Sequence, residues 1–383
     1  MGKKEADVVI IGGGIMGCSM AYRLAEKGQK VILLEKTRVG EEASGRNDGG
    51  VRQQSRDPAE IPLAMAAIKI WADMKDELEW DVGYRRGGNL RLILNEKEYE
   101  LYRDWPKREA ELGLKSQLLT PEETREIAPT VSKKIRLLGG KYCATDGTAN
   151  PLVTTKAIAR AARRKGVVIK EREPVTGLKI EKDRMAAAIT ATGEYRGDVF
   201  VNAAGPWSRT ICNWVGLDFP VTICRAQGMV TEAVPQCVRQ FIGFGTGNIR
   251  QTLEGQIHFG SNSQPVENFD KRTTMEPFVT FGQLPYEIFP FLKKLNVVRS
   301  WGGITNWTPD KIPILDKAPN LGNFFLTAGF SGHGFCLGPQ VGVLMAEWIA
   351  DGQSSMDLSA FRWTRFEDIY LSAKATALPG GNK

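Results

Sequence analysis

Histidine is almost missing from this chain: His258 and His333 are the only two in 383 residues. That shortage excludes a hydrolase built on clustered histidine–zinc ligands, and no metal centre is expected. The six cysteines, Cys18, Cys143, Cys212, Cys224, Cys237 and Cys336, contain no C-x-x-C pair. An iron–sulfur cluster held by this chain alone therefore lacks its ligands. Residues 1–5 show neither the charged n-region nor the apolar h-region of a signal peptide. Scattered thiols without such a signal lead us to expect a reducing, cytoplasmic setting.

Long hydrophobic runs are also scarce. Residues 318–346 carry no Lys, Arg, Asp or Glu, but Gly, Pro, Asn, Gln and His recur through them. This stretch reads as buried strand, loop and helix, so integral membrane insertion is not expected. Lys+Arg exceed Asp+Glu by 51 to 44, a net charge of +7. Such a balance admits nucleic acid or anionic substrates as partners. The positive residues are scattered, however, with only short groups at Arg85-Arg86 and residues 160–165. No arginine-rich patch is interleaved with aromatics, so nucleic-acid binding is not expected.

Glycine is what the chain has in excess, with 41 residues against 19 prolines. Several fall in one place. Asp7-Val8-Val9-Ile10-Ile11 is a short apolar run of the kind that forms a buried parallel strand. Gly12-Gly13-Gly14-Ile15-Met16-Gly17 follows directly, then a helical pattern over residues 19–27 with Gly28 as its stop. A second strand over residues 30–35 ends in Glu35, followed by Lys36. Gly12, Gly14 and Gly17 thus fit G-x-G-x-x-G between a strand and a helix, with an acidic residue closing the unit. Gly12 permits the tight turn. Gly14 lets a pyrophosphate approach the amides of Ile15 and Met16 at the helix N-terminus, and Gly17 lets helix and strand pack closely. Glu35 can accept hydrogen bonds from a ribose. The loop Ala43-Ser44-Gly45-Arg46-Asn47-Asp48-Gly49-Gly50-Val51 offers amides, a hydroxyl and a guanidinium for the rest of a dinucleotide.

Further along, helices are expected over residues 58–80, 96–112 and 338–351. Two more start at Thr120-Pro121 and at Asn150-Pro151, the latter running to residue 165. Strands are expected over 87–94 and 166–169, with a meander over 175–200. Val199-Phe200-Val201-Asn202-Ala203-Ala204-Gly205 reads as a second buried strand with a small-residue turn. Residues 216–299 read as strand-rich, with a helical piece near 285–295. Nucleotide-domain patterning thus occurs at the start, middle and end of the chain.

The βαβ unit with Glu35, the segment Asn202-Ala203-Ala204-Gly205-x-Trp207, and Gly329-Phe330-Ser331-Gly332-His333-Gly334-Phe335 occur in order. Together they resemble the FAD-dependent D-amino-acid oxidase superfamily over nearly the whole chain. The nearest likeness is to sarcosine oxidase β subunits, proline dehydrogenase β subunits, hydrogen cyanide synthase and opine or hydroxyproline dehydrogenases. The resemblance implies a mixed α/β fold: a Rossmann-like FAD-binding domain (1–84, 147–215 and 300–383) with an inserted, strand-rich substrate-binding domain (85–146 and 216–299). It implies oxidation of the C–N bond of a small amino or imino acid by hydride transfer to flavin N5. The alternative within the family is a self-sufficient oxidase producing hydrogen peroxide.

By the same resemblance, Val175 contacts adenine, and Gly332-His333-Gly334-Phe335 lies along the flavin. His333 is then either a catalytic base or a residue packed beside the ring. The lysine that follows G-H-G-F in monomeric sarcosine oxidases is Cys336 here, which weakens the oxidase reading. Their flavin-linking cysteine falls at Gly303, and the histidine that carries a second flavin in heterotetrameric relatives falls at Asn150. Noncovalent FAD is therefore expected. Arg250, Arg52 and Arg225 are the candidates to grip a substrate carboxylate. Electrons are expected to leave through an α-type FAD- or NAD(H)-binding subunit, with a possible [2Fe–2S] subunit.

Overall fold

The computed structural model describes residues 4–245, 247–261, 263–275 and 283–366. The expected chain start at 1–3 and the stretch 367–383 of the expected FAD-binding part lie outside the described residues. The chain folds around two large sheets, of eight and nine strands, joined by a two-stranded ribbon of Gly50–Val51 and Gly147–Thr148.

The eight-stranded sheet begins with β1 (Glu5–Ile11), which lies parallel to β2 (Val31–Glu35) on one side and to Gly193–Asn202 on the other. Val168–Glu171 extends the sheet beyond β2, and Leu321–Ala328 extends it beyond Gly193–Asn202, both in parallel. Alternation sends these side chains to two cores. Val8, Ile10 and Leu33 pack under the helices, while Val9, Ile11, Ile32 and Leu34 meet Phe200, Phe219 and Phe324. The meander over 175–200 forms as three antiparallel strands, Val175–Glu181, Arg184–Thr190 and Gly193–Asn202.

Helix α1 spans Ile15–Glu26, four residues earlier than its hydrophobic pattern alone predicts, because Gly14 serves as its N-cap. The last helix likewise starts early, at Gly334, and runs to Asp351 with Pro339 inside its second turn. These two helices pack against each other through glycine. A Cβ on Gly338 would lie 2.8 Å from Ile15 Cγ1, and one on Gly342 would lie 2.5 Å from Ser19 Cβ. The expected helix over 96–112 is two helices, Glu96–Tyr102 and Trp105–Glu111. Pro106 cannot donate to a continuing ladder and restarts the helix instead. The piece near 285–295 divides similarly into Leu284–Ile288 and a 3-10 turn at Pro290–Lys294. The Thr120–Glu123 capping box and the Asn150 cap both form.

The nine-stranded sheet is built from Asn89–Ile93, Gln117–Leu119, Gly139–Cys143 and most of the strands after Thr222. Its core face carries Leu90, Leu92, Ile242, Phe244, Ile249, Ile257 and Phe259. The expected domain division at residue 300 falls inside one strand, Val297–Trp307. That strand pairs along its length with Thr222–Ala233 in this second sheet.

Candidate active site

The first cavity, of about 390 Å³, sits at the carboxyl ends of β1 and β2. Gly12 has φ +114°, and a Cβ there would lie 2.4 Å from Ala203 O. A Cβ on Gly17 would lie 2.0 Å from Gly12 O, so this crossing of strand, turn and helix requires glycine at both positions. The Glu35 carboxylate accepts from Gly13 N at 2.7 Å and from Thr37 N at 2.8 Å, which fixes the turn to the end of β2. Ser44 Oγ accepts from Ile15 N at 2.9 Å, tying the short helix Ala43–Arg46 to the N-terminus of α1. Gly14, Ile15 and Met16 line this cavity from α1, and Gly332, Gly334 and Phe335 line it from the last helix. Two helix N-termini, each a partial positive charge, thus converge on one space, and with Ile15 N taken by Ser44 the Met16 and Gly17 amides of the first turn of α1 are the ones left to a ligand.

At the far end, Lys36 Nζ sits 3.0 Å from the centre of the Trp207 ring and 3.2 Å from Glu42 Oε1. Burial pushes the Lys36 ammonium below its usual range, against the pull of Glu42. Val175, Ala203, Ala204 and Gly205 complete the wall. Fifteen of the residues expected to hold a dinucleotide therefore line this one space: Gly12, Gly14, Ile15, Met16, Glu35, Lys36, Ser44, Val175, Ala203, Ala204, Gly205, Trp207, Gly332, Gly334 and Phe335. A cradle closed to any Cβ, two helix ends and a ribose-height carboxylate fit a dinucleotide.

A second cavity, of about 420 Å³, adjoins the first. Ala43, Asn47, Thr305, Gly332 and Phe335 line both. Its ceiling is the non-core face of the nine-stranded sheet, where Gly228, Gly243 and Gly260 leave room. Arg46, Gly50, Gly303 and His333 line this second cavity rather than the first. Arg46 ties the loop before its short helix to the strand Val297–Trp307, with Nε donating to Glu41 O at 2.7 Å and one terminal nitrogen donating to Gly302 O at 3.1 Å. Gly17, Gly45 and Val51 line neither and serve packing. A Cβ on Gly45 would lie 2.0 Å from Gly40 O.

The three arginine candidates separate. Arg52 lines the second cavity and donates to Ser55 O at 2.9 Å and to Gln54 O. Burial, with Arg56 beside it, pulls its guanidinium down to about 10. Arg250 donates instead to Asp48 O, beneath the glycine pair, and faces a separate surface cleft. A Cβ on Gly49 would lie 3.1 Å from the Arg250 guanidinium, so the two pack together. Arg225 donates to Arg272 O at 3.4 Å and lines neither cavity.

Two residues with chemistry here were not singled out in the sequence. Arg56 places one terminal nitrogen 2.8 Å from His333 Nδ1 and the other 3.3 Å from His333 O. Glu60 Oε1 lies 3.3 Å from the same ring nitrogen, and the Glu60 side chain is buried. Burial pushes the His333 imidazole below its usual range against the upward pull of Glu60, and Arg56 and Arg52 add to the lowering. Burial would raise the Glu60 carboxyl, but His333, Arg56 and Arg52 together hold it below the carboxylate range. The sequence signal was the spacing: Arg56 and Glu60 are four apart where the helix Glu60–Leu78 starts. His258 lines the ceiling, 5% exposed, with neither ring nitrogen hydrogen-bonded among the described residues. Burial, then Arg250, holds it well below its usual range.

Behind the loop that carries Arg52 and Arg56 is a fully buried ion pair. Lys141 Nζ contacts Glu109 Oε1 at 2.7 Å, Gln54 Oε1 at 3.0 Å and Ser55 Oγ at 3.1 Å. Cys336 lies beside the same arginines, and burial raises its thiol, so it remains protonated. A lysine there would set a third cation against Arg52 and Arg56.

The family model described as DAO, FAD dependent oxidoreductase, matches residues 7–348. The chain belongs to this family. Mitochondrial dimethylglycine dehydrogenase of Mus musculus is 28% identical over 421 residues, which cover 99% of this chain and 47% of the relative. The chain therefore spans about half the length of that curated relative. An opine oxidase subunit of Rhizobium meliloti is 30% identical, with 95% and 98% of the two chains covered. The crystal structure of L-proline dehydrogenase from P.horikoshii superposes with a TM-score of 0.90 at 28% identity, over 96% and 99% of the chains. FAD is thus the cofactor of this DAO-type oxidoreductase, and the first cavity has the features to hold it. Among the described residues, no helix is long and apolar enough to cross a membrane.

Proposed function

We propose that this chain oxidises the C–N bond of a small amino or imino acid bound in the second cavity, with FAD held noncovalently in the first. Sarcosine, proline, hydroxyproline, glycine and opines are the candidate compounds. The observation that carries this reading is the junction of the two cavities at Ala43, Asn47, Thr305, Gly332 and Phe335. A ligand in the second cavity meets whatever lies between those residues.

When bound, FAD supplies the acceptor for the hydride that leaves the carbon bearing nitrogen. The chain supplies the rest. The amides at the start of α1 would hold the pyrophosphate, and Glu35 the ribose. The N-terminus of the last helix would favour negative charge along the flavin edge. Arg52 takes the substrate carboxylate, with Arg56 holding the imidazole of His333 beside it. Hydride loss needs a neutral amine. A cavity lined by Arg46, Arg52, Arg56 and Arg91, with His258 and His333 uncharged, disfavours a further cation and so lowers the pKa of a bound ammonium.

The relative named as an opine oxidase subunit supports a multi-subunit enzyme. We propose an α-type FAD- or NAD(H)-binding subunit as the electron exit, with a [2Fe–2S] subunit as a further component. Anaerobic bleaching of the flavin with the five compound classes tests the activity. Bleaching by at least one supports it, and no bleaching by any of them overturns it.

A further inference from the structure

Building on the proposed amine oxidation, we infer that the substrate carries two carboxylates, one taken by Arg52 and the other by Arg91. Four arginines line the second cavity. Arg46 spends both Nε and a terminal nitrogen on backbone carbonyls, and Arg56 is taken by His333 and, at 3.9 Å, Glu60, whereas Arg52 and Arg91 each commit a single terminal nitrogen, to Gln54 O and Ser55 O and to Gly245 O respectively. Arg52 and Arg91 form no ion pair among the described residues. A partly buried guanidinium with N–H groups to spare favours a carboxylate partner, and a ligand in the cavity that both arginines line can supply one.

Arg91 is built into an anion site by its neighbours. It lies on the strand Asn89–Ile93, on the face opposite Leu90 and Leu92, and donates to Gly245 O. Its Nε is buried without a partner. Asn89, two residues earlier on the same face and 4% exposed, has a side-chain nitrogen that is also unpartnered.

Hydrogen bonding fixes that nitrogen as a donor. The Lys141 ammonium can only donate, so Gln54 presents Oε1 to it and turns Nε2 away. Gln54 Nε2 then donates to Asn89 Oδ1 at 3.0 Å, which leaves Asn89 Nδ2 as the free end. A buried orphan amide donor on the same strand face as a guanidinium whose own Nε is unpartnered calls for an acceptor with several lone pairs, and a carboxylate has that chemistry. The two cationic points belong to different walls. Arg52 lies by Cys336 and His333, and Arg91 by Gly243 and Tyr102. At about 420 Å³ the cavity is within the range of sites that take ligands much larger than glycine, about 300–1,000 Å³. An amino acid whose nitrogen or side chain bears a second carboxylate satisfies both ends.

The test uses holoenzyme and ether analogues that lack the C–N bond. Oxydiacetate presents two carboxylates and methoxyacetate one, and each is titrated by its perturbation of the flavin absorbance. Oxydiacetate should bind at least about 10-fold tighter than methoxyacetate, as a charged hydrogen-bonded pair implies. Arg91→Gln should abolish that advantage while changing the affinity for methoxyacetate by less than about twofold, and Arg52→Gln should weaken both. Equal affinities in the wild-type protein, or an advantage that survives in Arg91→Gln, would overturn the inference. Anaerobic bleaching separates this failure from that of the underlying activity. If sarcosine or proline bleaches the flavin as readily as iminodiacetate, amine oxidation stands and the dicarboxylate inference falls. If neither class bleaches it, both fall.

Discussion

Glu35 shows how one side chain serves two partners. It holds the amide of Gly13 and the amide and hydroxyl of Thr37, and it also lines the cofactor cavity. Glu35→Ala should weaken FAD binding by about 1–3 kcal/mol, the cost of removing a buried charged acceptor. Titration of apoprotein with FAD checks this, and an unchanged dissociation constant would mean that Glu35 serves the turn alone. The two histidines give a second prediction. Both imidazoles are held below the ordinary 6.5, so in acid the unfolded chain binds protons that the native chain refuses. Their contribution to stability is complete above pH 6.5 and is lost as pH falls toward the lower native values. The slope is up to about 1.4 kcal/mol per pH unit for each ring. Urea unfolding between pH 7.5 and 5.5 should show the decline, and His258→Leu should flatten it. A wild-type profile without slope would contradict the burial of both rings.

The paired helices are the element that aims the site. Gly334, Gly338 and Gly342 lie four apart along the last helix; Ile15 and Ser19 of α1 fill the space a Cβ would need at Gly338 and Gly342, and Phe330 with Met16 fills it at Gly334. That close approach brings both N-termini to one cavity. Gly342→Leu should therefore separate the helices. Overpacking costs typically about 1–3 kcal/mol, and loss of bound FAD should accompany it because both amide ends move. A variant that keeps its FAD affinity would show that helix spacing does not set the cradle. The spacing of these glycines was visible in the chain. Their function was not, because helical periodicity gives a face without saying what meets it. The nine-stranded sheet makes the same point. Alternation put Leu90 and Leu92 on one face and Asn89 and Arg91 on the other, but only the assembled sheet turned that second face toward a cavity.

At the scale of the whole molecule, the question is where electrons go. Cys336 sits against Arg52 and Arg56, where an oxidase-type lysine would meet two like charges. The native complex is therefore expected to exceed 42.3 kDa, with an interface of at least about 1,000 Å² to an electron-accepting subunit. Native mass measurement of material from its own cells checks this. A lone chain that turns over rapidly with oxygen would instead establish the self-sufficient oxidase. Flavin attachment is tested as simply. Gly303 has no side-chain nucleophile, and Asn150 Oδ1 is committed to capping Val153 N at 3.2 Å. Acid precipitation should leave the yellow colour in the supernatant, and a yellow pellet would disprove noncovalent binding.

Local order in the chain determined the dinucleotide cradle. Gly12, Gly14, Gly17 and Glu35 act within a single strand–turn–helix–strand unit, where spacing along the chain and spacing in the fold coincide. The same holds for the caps at Thr120 and Asn150, which are decided over three or four residues. Tertiary structure alone decided the second cavity. Arg56 and His333 are 277 positions apart, and Gln54 reaches Asn89 across 35. Arg250 and Arg52 looked equivalent in sequence, yet one holds the loop from behind while the other faces the cavity. An arginine carries no local signal of which carbonyl or carboxylate it will meet. Its partner is set by how the strands of two sheets stack, and that information is spread over the whole chain.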